Sequence, residues 1–227
     1  PGTISLSAGT GAVTLDSSAT VTADGSSARL SAGGDITLGA VSAANVSVVS
    51  TGGSILNAVG STVNVSATKL RLEAAGAIGQ SGRHLTTSVD SLSARSAGTA
   101  GTGIYLTESN AVTVDTVSVS VTEFKEDATT VAVTDVSQSD LVTSGGNGNI
   151  VLVATAGNIT LNDGTDVAAP VEDNTDGDAV SAHGTGSVVI DALAGSLTVN
   201  ADIASGSGHI TLKAGTSMDL TATVDVS

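Results

Sequence analysis

Aliphatic residues alternate with threonine, serine or asparagine in short runs along most of the chain: Ile4-Ser-Leu6, Val13-Thr-Leu15, Ile36-Thr-Leu38, Val46-Ser-Val48, Val63-Asn-Val65, Ile159-Thr-Leu161, Leu197-Thr-Val199 and Ile210-Thr-Leu212. A period of two puts one row of side chains on a dry face and the next on a wet one, so each run predicts a short β-strand. No segment holds apolar residues at i, i+3 and i+4, and essentially no helix is expected. Glycine precedes many of the runs (Gly2, Gly11, Gly34, Gly53, Gly157, Gly195, Gly208). Tight corners that need positive φ are the expected reason.

A longer pattern encloses these strands. An aliphatic residue, a short Ser/Ala/Gly stretch and a second aliphatic run recur from Leu6 to Val13, Leu30 to Ile36, Val48 to Ile55, Leu72 to Ile78, Leu152 to Ile159, Ile190 to Leu197 and Leu212 to Met218. The spacing of the first positions gives a period of about 20 residues, enlarged in two places, which is a solenoid period. The expected fold is therefore all-β: a single-stranded parallel β-helix, or β-solenoid, of about ten coils of roughly 20 residues, stacked about 4.8 Å apart. One continuous solenoid is expected over 1–227, with irregular coils at 115–147 and an acidic loop insertion at 162–178. Tandem immunoglobulin-like modules would need a repeat near 100 residues and a core Trp or Tyr. A cross-β assembly is the other alternative.

Composition sharpens this picture. The chain has 227 residues, no Cys, no Trp, one Tyr and one Phe, yet a mean hydropathy of +0.32. A disordered acidic tail would lack those aliphatics. A narrow lumen lined by equivalent Ile, Val and Leu in successive coils has no need of rings, which would demand small residues above and below. Without cysteine there are no disulfides or thiolate metal sites. Seven basic residues against 22 acidic ones, net −15, make nucleic acid and anionic membranes poor partners. No stretch has the length or composition of a membrane-spanning helix or signal peptide. Both termini fall inside a repeat, so the chain is expected to be a fragment whose coils continue into neighbours, in the same chain or in other copies.

The charge is regional: residues 115–178 hold twelve acids against Lys125. Asp163, Asp166, Glu172, Asp173, Asp176 and Asp178 crowd the segment 162–178, and dense carboxylates on a loop suit a hard cation. Asp173, Asn174, Asp176 and Asp178, with Gly177 allowing a bend, are the candidate calcium ligands; a solvated acidic loop is the alternative. Two departures from uniformity remain. Strands 117–121 and 131–136 alternate well around an acidic corner, Glu123 to Asp127, that carries Phe124. Lys69, Arg71, Arg83 and Arg95 lie near Glu73 and Asp90; Lys69 and Arg71 share a strand parity and are expected on a solvated strip. His84, His183 and His209 have no ligand spacing and are expected at exposed corners.

Residues 72 to 114 contain Gly76-Ala-Ile-Gly79, Leu85-Thr-Thr-Ser-Val89, Ser91-Leu92-Ser-Ala94 and Gly103-Ile-Tyr-Leu-Thr-Glu108. This block, with the Gly-Asp-Ile-Thr-Leu and Gly-Asn-Ile-Thr-Leu elements flanking it, resembles the repeat regions of filamentous-haemagglutinin-like proteins, very large secreted bacterial surface proteins of the adhesin type. The resemblance extends over most of the chain except 115–147. It implies a right-handed coil, display outside a Gram-negative-type cell as a stalk or adhesive shaft, contact with host or cell-surface glycan or protein, and no catalytic residue. A self-assembling subunit of an extracellular filament or sheath, with lateral association, is the alternative. A polysaccharide-active β-helix is the third, although no aromatic platform or converging acids are evident for it.

Overall fold

The computed structural model describes residues 2–98, 103–165, 177–221 and 223–227. Among them there is no helix, and none that could cross a membrane. Nine strands form the main path of one sheet: Ile4–Ala8, Thr20–Ala32, Ala40–Ser50, Val65–Ala74, Leu85–Ser96, Val112–Val114, Ile159–Leu161, Leu197–Val199 and Met218–Leu220. Every pairing along it is parallel, consistent with a parallel β-helix or solenoid.

Register explains why the sequence repeats. Leu6, Leu30, Val48, Leu72, Ala94, Leu141, Val180, Ile203 and Val226 succeed one another in a first ladder. A second runs Val13, Ile36, Ile55, Ile78, Ile104, Ile150, Val188 and Ile210. A third runs Val21, Val41, Val65, Thr87 and Glu108, and beside it the strand Val112–Val114, which stacks on Ser91 and Leu92, starts a column that continues through Ile159, Leu197 and Met218. The chain visits the three in turn. Inward residues of the middle rungs, such as Leu30, Ile55, Leu72 and Ile104, are fully buried and belong to one continuous core. Burying each contributes on the order of 1.5–3 kcal/mol. That core contains no ring: Tyr105 lies between the buried Ile104 and Leu106 on the opposite side of its strand, and Phe124 is 75% exposed.

The first ladder has nine rungs where length alone suggests about ten coils, because the chain makes two excursions. Each leaves at the same place on adjacent rungs, after the paired residues Val114 and Leu161, and returns to the paired residues Leu141 and Val180. The first excursion, within the region expected to hold irregular coils, is an antiparallel hairpin of Val117–Phe124 and Thr130–Gln138. The second contains residues 166–176, which lie outside the described residues.

Corner glycines answer to crowding more than to dihedral freedom. Of those that precede strands, Gly157 has positive φ (81°), whereas Gly34, Gly53, Gly195 and Gly208 do not. A Cβ on Gly195 would meet the carbonyl of Gly157 and the amide nitrogen of Asn158 on the adjacent rung, all backbone that cannot move aside. Gly195→Ala is therefore expected to destabilise by about 1–3 kcal/mol in urea unfolding. Gly11→Ala, where nothing lies within 4 Å, should be close to neutral.

Candidate functional site

The most elaborate surface lies where the hairpin crosses the outside of the first ladder. Valines 117, 119 and 121 alternate with Ser118, Ser120 and Thr122, so the hairpin has a dry face and a wet one. The three valines are at most 2% exposed, pressed against the sheet. Its turn closes with Lys125 N–H donating to Thr129 O (2.8 Å) and Ala128 N–H to Lys125 O (3.0 Å), leaving Ala128 at φ 63°. Left-handed backbone is unfavourable for an alanine. Ala128→Gly is expected to raise stability by about 0.5–1 kcal/mol in the same unfolding assay.

Beneath the hairpin, Ser5, Arg29, Ser47, Arg71 and Ser93 form an outward ladder with arginine on every second rung. Arg29 Nε donates to both oxygens of Asp135 (3.0 and 2.9 Å), with each side chain 15% exposed or less. Arg71 Nε donates to Val136 O (3.0 Å) and its Nη2 to Glu73 (2.7 Å). Gln138 Nε2 donates to Leu72 O (2.9 Å) and Ser93 Oγ (3.3 Å). At the other end Ser5 Oγ donates to Glu123 (2.7 Å), while Thr3 Oγ1 donates to Thr122 O and accepts from Thr122 N–H, both at 2.8 Å. These contacts run from Ser93 back to Ser5, four rung spacings or about 19 Å. From Gln138 to Val131 the hairpin advances seven residues, about 23 Å when extended. It is a strap lying along the direction in which rungs stack.

The seam between the strap and the outward ladder is incompletely satisfied. Ser47 Oγ, Arg71 Nη1 and Gln138 Oε1 are buried without a hydrogen-bond partner, and each such group costs on the order of 1–3 kcal/mol. Arg71 corrects one expectation. It shares parity with the exposed Lys69 but is 2% exposed, because the strap covers the rung at Arg71. Arg95 falls beside Glu73 in register, so Arg71, Glu73 and Arg95 adjoin on the outer surface. Arg83 instead donates to Gln80 (3.2 Å) at a separate turn.

A second polar cluster is internal. Glu108 occupies the third ladder, where earlier rungs carry Val41 and Val65, and is fully buried. Thr87 O–H (2.7 Å) and the N–H groups of Ser109 (2.7 Å), Val89 and Asn110 (3.2 Å each) donate to its carboxylate. Burial pushes the carboxyl above its usual range, outweighing the opposing effect of the bonds from Thr87, Asn110, Ser109 and Val89. Each partner is a donor within the fold, so Glu108 caps a bend in the chain. A buried Asn64 does similar work at an earlier corner: Nδ2 donates to Leu38 O, Gly39 O and Asn57 Oδ1, and Oδ1 accepts from Thr86 N–H.

Other sequence candidates are placed as follows. Asp173, Asn174 and Asp176 lie outside the described residues; Asp178 opens the strand Asp178–Ala182. Among the described residues no three His, Asp or Glu side chains group as a metal site. His183 and His209 are exposed. His84, expected at an exposed corner, is half-buried: Nδ1 lies 2.9 Å from Thr107 Oγ1, the ring centroid is 5.9 Å from that of Tyr105, and burial lowers the imidazole below its ordinary range. Sequence reasoning missed Arg71, Gln138 and Asn64 as structural polar groups. Only Glu108 had a signal, as a carboxylate closing an otherwise apolar run. No protein-family model, curated protein or solved structure matches the chain.

Proposed function

We propose that the chain closes into a right-handed β-solenoid and serves as a shaft segment of a very large extracellular bacterial surface protein of the filamentous-haemagglutinin-like type, structural or adhesive and without catalysis. The observation that carries the reading is the pair of features already described: two ladders that are aliphatic on every rung, and a strap that spans five rungs from outside. Repeat stacking of this kind distributes stability through nearest-neighbour contacts and suits length more than a single reactive centre. Small-angle scattering tests it: a rod about 40 Å long is expected from nine rungs at about 4.8 Å. A near-spherical particle, or turnover of an acidic glycan by the chain, would overturn it.

A further inference from the structure

The hairpin is inserted where the neighbouring rung has a single residue. Val114 pairs with Leu92 and Leu141 with Ala94, so residues 115–140 stand in the place that Ser93 alone fills one rung away. The rung is in register on both sides of the insertion, and the hairpin can leave its seat as a unit without unthreading any ladder. Its two connectors are short, 115–116 and 139–140. Asp140 carries left-handed backbone (φ 65°), at the kind of element-terminal position where a hinge absorbs a change of direction.

The seat and the hairpin differ in what they need. The ladder beneath, Ser5, Arg29, Ser47, Arg71 and Ser93, is made of side chains that water solvates. Val117, Val119 and Val121 of the hairpin are at most 2% exposed when docked and require a cover. In the docked seam Ser47 Oγ, Arg71 Nη1 and Gln138 Oε1 have no hydrogen-bond partner. The contact that specifies the pairing is charged, with Arg29 Nε donating to both oxygens of Asp135. A second copy of the chain offers an identical seat, and exchange of an identical element between copies reuses the same contacts.

We infer that the hairpin within 115–140 is an exchangeable arm, which docks on the arginine–serine ladder of its own chain or, reciprocally, on that of a second copy, giving a dimer in which each copy supplies Asp135 to the other's Arg29. The exchange leaves the first and last rungs untouched. It goes beyond the shaft reading and rests on the hairpin and ladder alone, so either can fail without the other.

Charge reversal tests it in the whole chain. In Arg29→Asp two carboxylates face each other across the seam within one chain, and in Asp135→Arg two guanidinium groups do. In a reciprocally exchanged pair of these two variants, both seams hold one charge of each sign. The variants, one of them 15N-labelled, are unfolded in urea, mixed, refolded together and separated by size exclusion at low and high salt, and the dimer peak is weighed by native mass spectrometry. Mixed dimers are expected at about tenfold or more the level of dimers in either variant alone. They should persist at high salt, because separation requires release of the hairpins and their valines. The Arg29→Asp, Asp135→Arg double variant restores opposite charges within one chain and should match the parent. Labelled and unlabelled parent refolded together at high concentration, where a second ladder competes with the tethered one, should give dimers that carry both isotopes. Absence of such dimers from the parent, equal dimer levels in the mixture and in the single variants, or mixed dimers that separate as salt is raised would overturn the inference.

Discussion

Glu108→Ala is expected to lower the unfolding free energy by about 3–5 kcal/mol, because the hydroxyl of Thr87 and the N–H groups of Val89, Ser109 and Asn110 lose their shared acceptor inside the fold. Glu108→Gln should behave differently. Its amide oxygen can still accept from the backbone, its NH2 can donate to Thr87 once the hydroxyl turns, and no charge is buried. The pH dependence separates the two effects. Burial raises the carboxyl's folded value above its unfolded one, so the folded state holds its proton more tightly. The stability that this contributes is fully present below the unfolded value and is lost as pH rises towards the folded value. Relative to Glu108→Gln, the parent should gain stability on acidification from neutral pH and the gap should level off below the unfolded carboxyl's titration. Urea unfolding of both proteins across that range is the measurement; a constant gap would mean that the buried carboxylate bears no net desolvation cost.

Asn64→Ala is expected to cost about 3 kcal/mol, since the N–H of Thr86, the carbonyl of Gly39 and Oδ1 of Asn57 lose a partner in a site without solvent. Asn64→Asp discriminates further. A carboxylate there would face Leu38 O, Gly39 O and Asn57 Oδ1 with no proton to offer, so its damage at neutral pH should equal or exceed that of alanine. Protonation restores one donor, and the Asn64→Asp variant should therefore recover stability as pH falls. Melting temperatures of the two variants against pH, read side by side, check this. A melting temperature of Asn64→Asp that does not move with pH would show that the corner opens to water.

These two residues also mark how far the sequence could be read. The strands and their parallel stacking follow from alternation and period, since Ile36-Thr-Leu38 and Ile159-Thr-Leu161 each sit with aliphatics buried and threonine outward. The phase of the repeat was hidden. Leu6, Leu30, Val48 and Leu72 are rungs of the first ladder, whereas Leu152, Ile190 and Leu212 stack on a different one, above Leu106. The same motif of aliphatic, small residues, aliphatic spans different corners before and after the excursions, and periodicity carries no label for the face. The hairpin's alternation was equally visible at Val117–Val121, but its reversal was not. A turn with Asn or Gly at positive φ would have announced it; the chain puts Ala128 there. The fate of Arg71 depended on the strap, a contact 65 residues distant in sequence, which no local pattern encodes. Polar corner residues such as Asn64 look like any loop asparagine until their carbonyl partners on neighbouring rungs are known.

The shared departure point of the two excursions has a consequence for how such a chain can change. Both interrupt the circuit after Val114 and Leu161 and rejoin it at Leu141 and Val180, and the pairing beyond them, Val188 with Ile210 or Leu197 with Met218, proceeds in unbroken register. Extra length at this corner leaves the rungs that follow in register, so a loop can be exchanged there without re-threading them. Neighbouring grafts at that corner would be anchored on adjacent rungs, so that each could vary separately while the scaffold beneath stays the same.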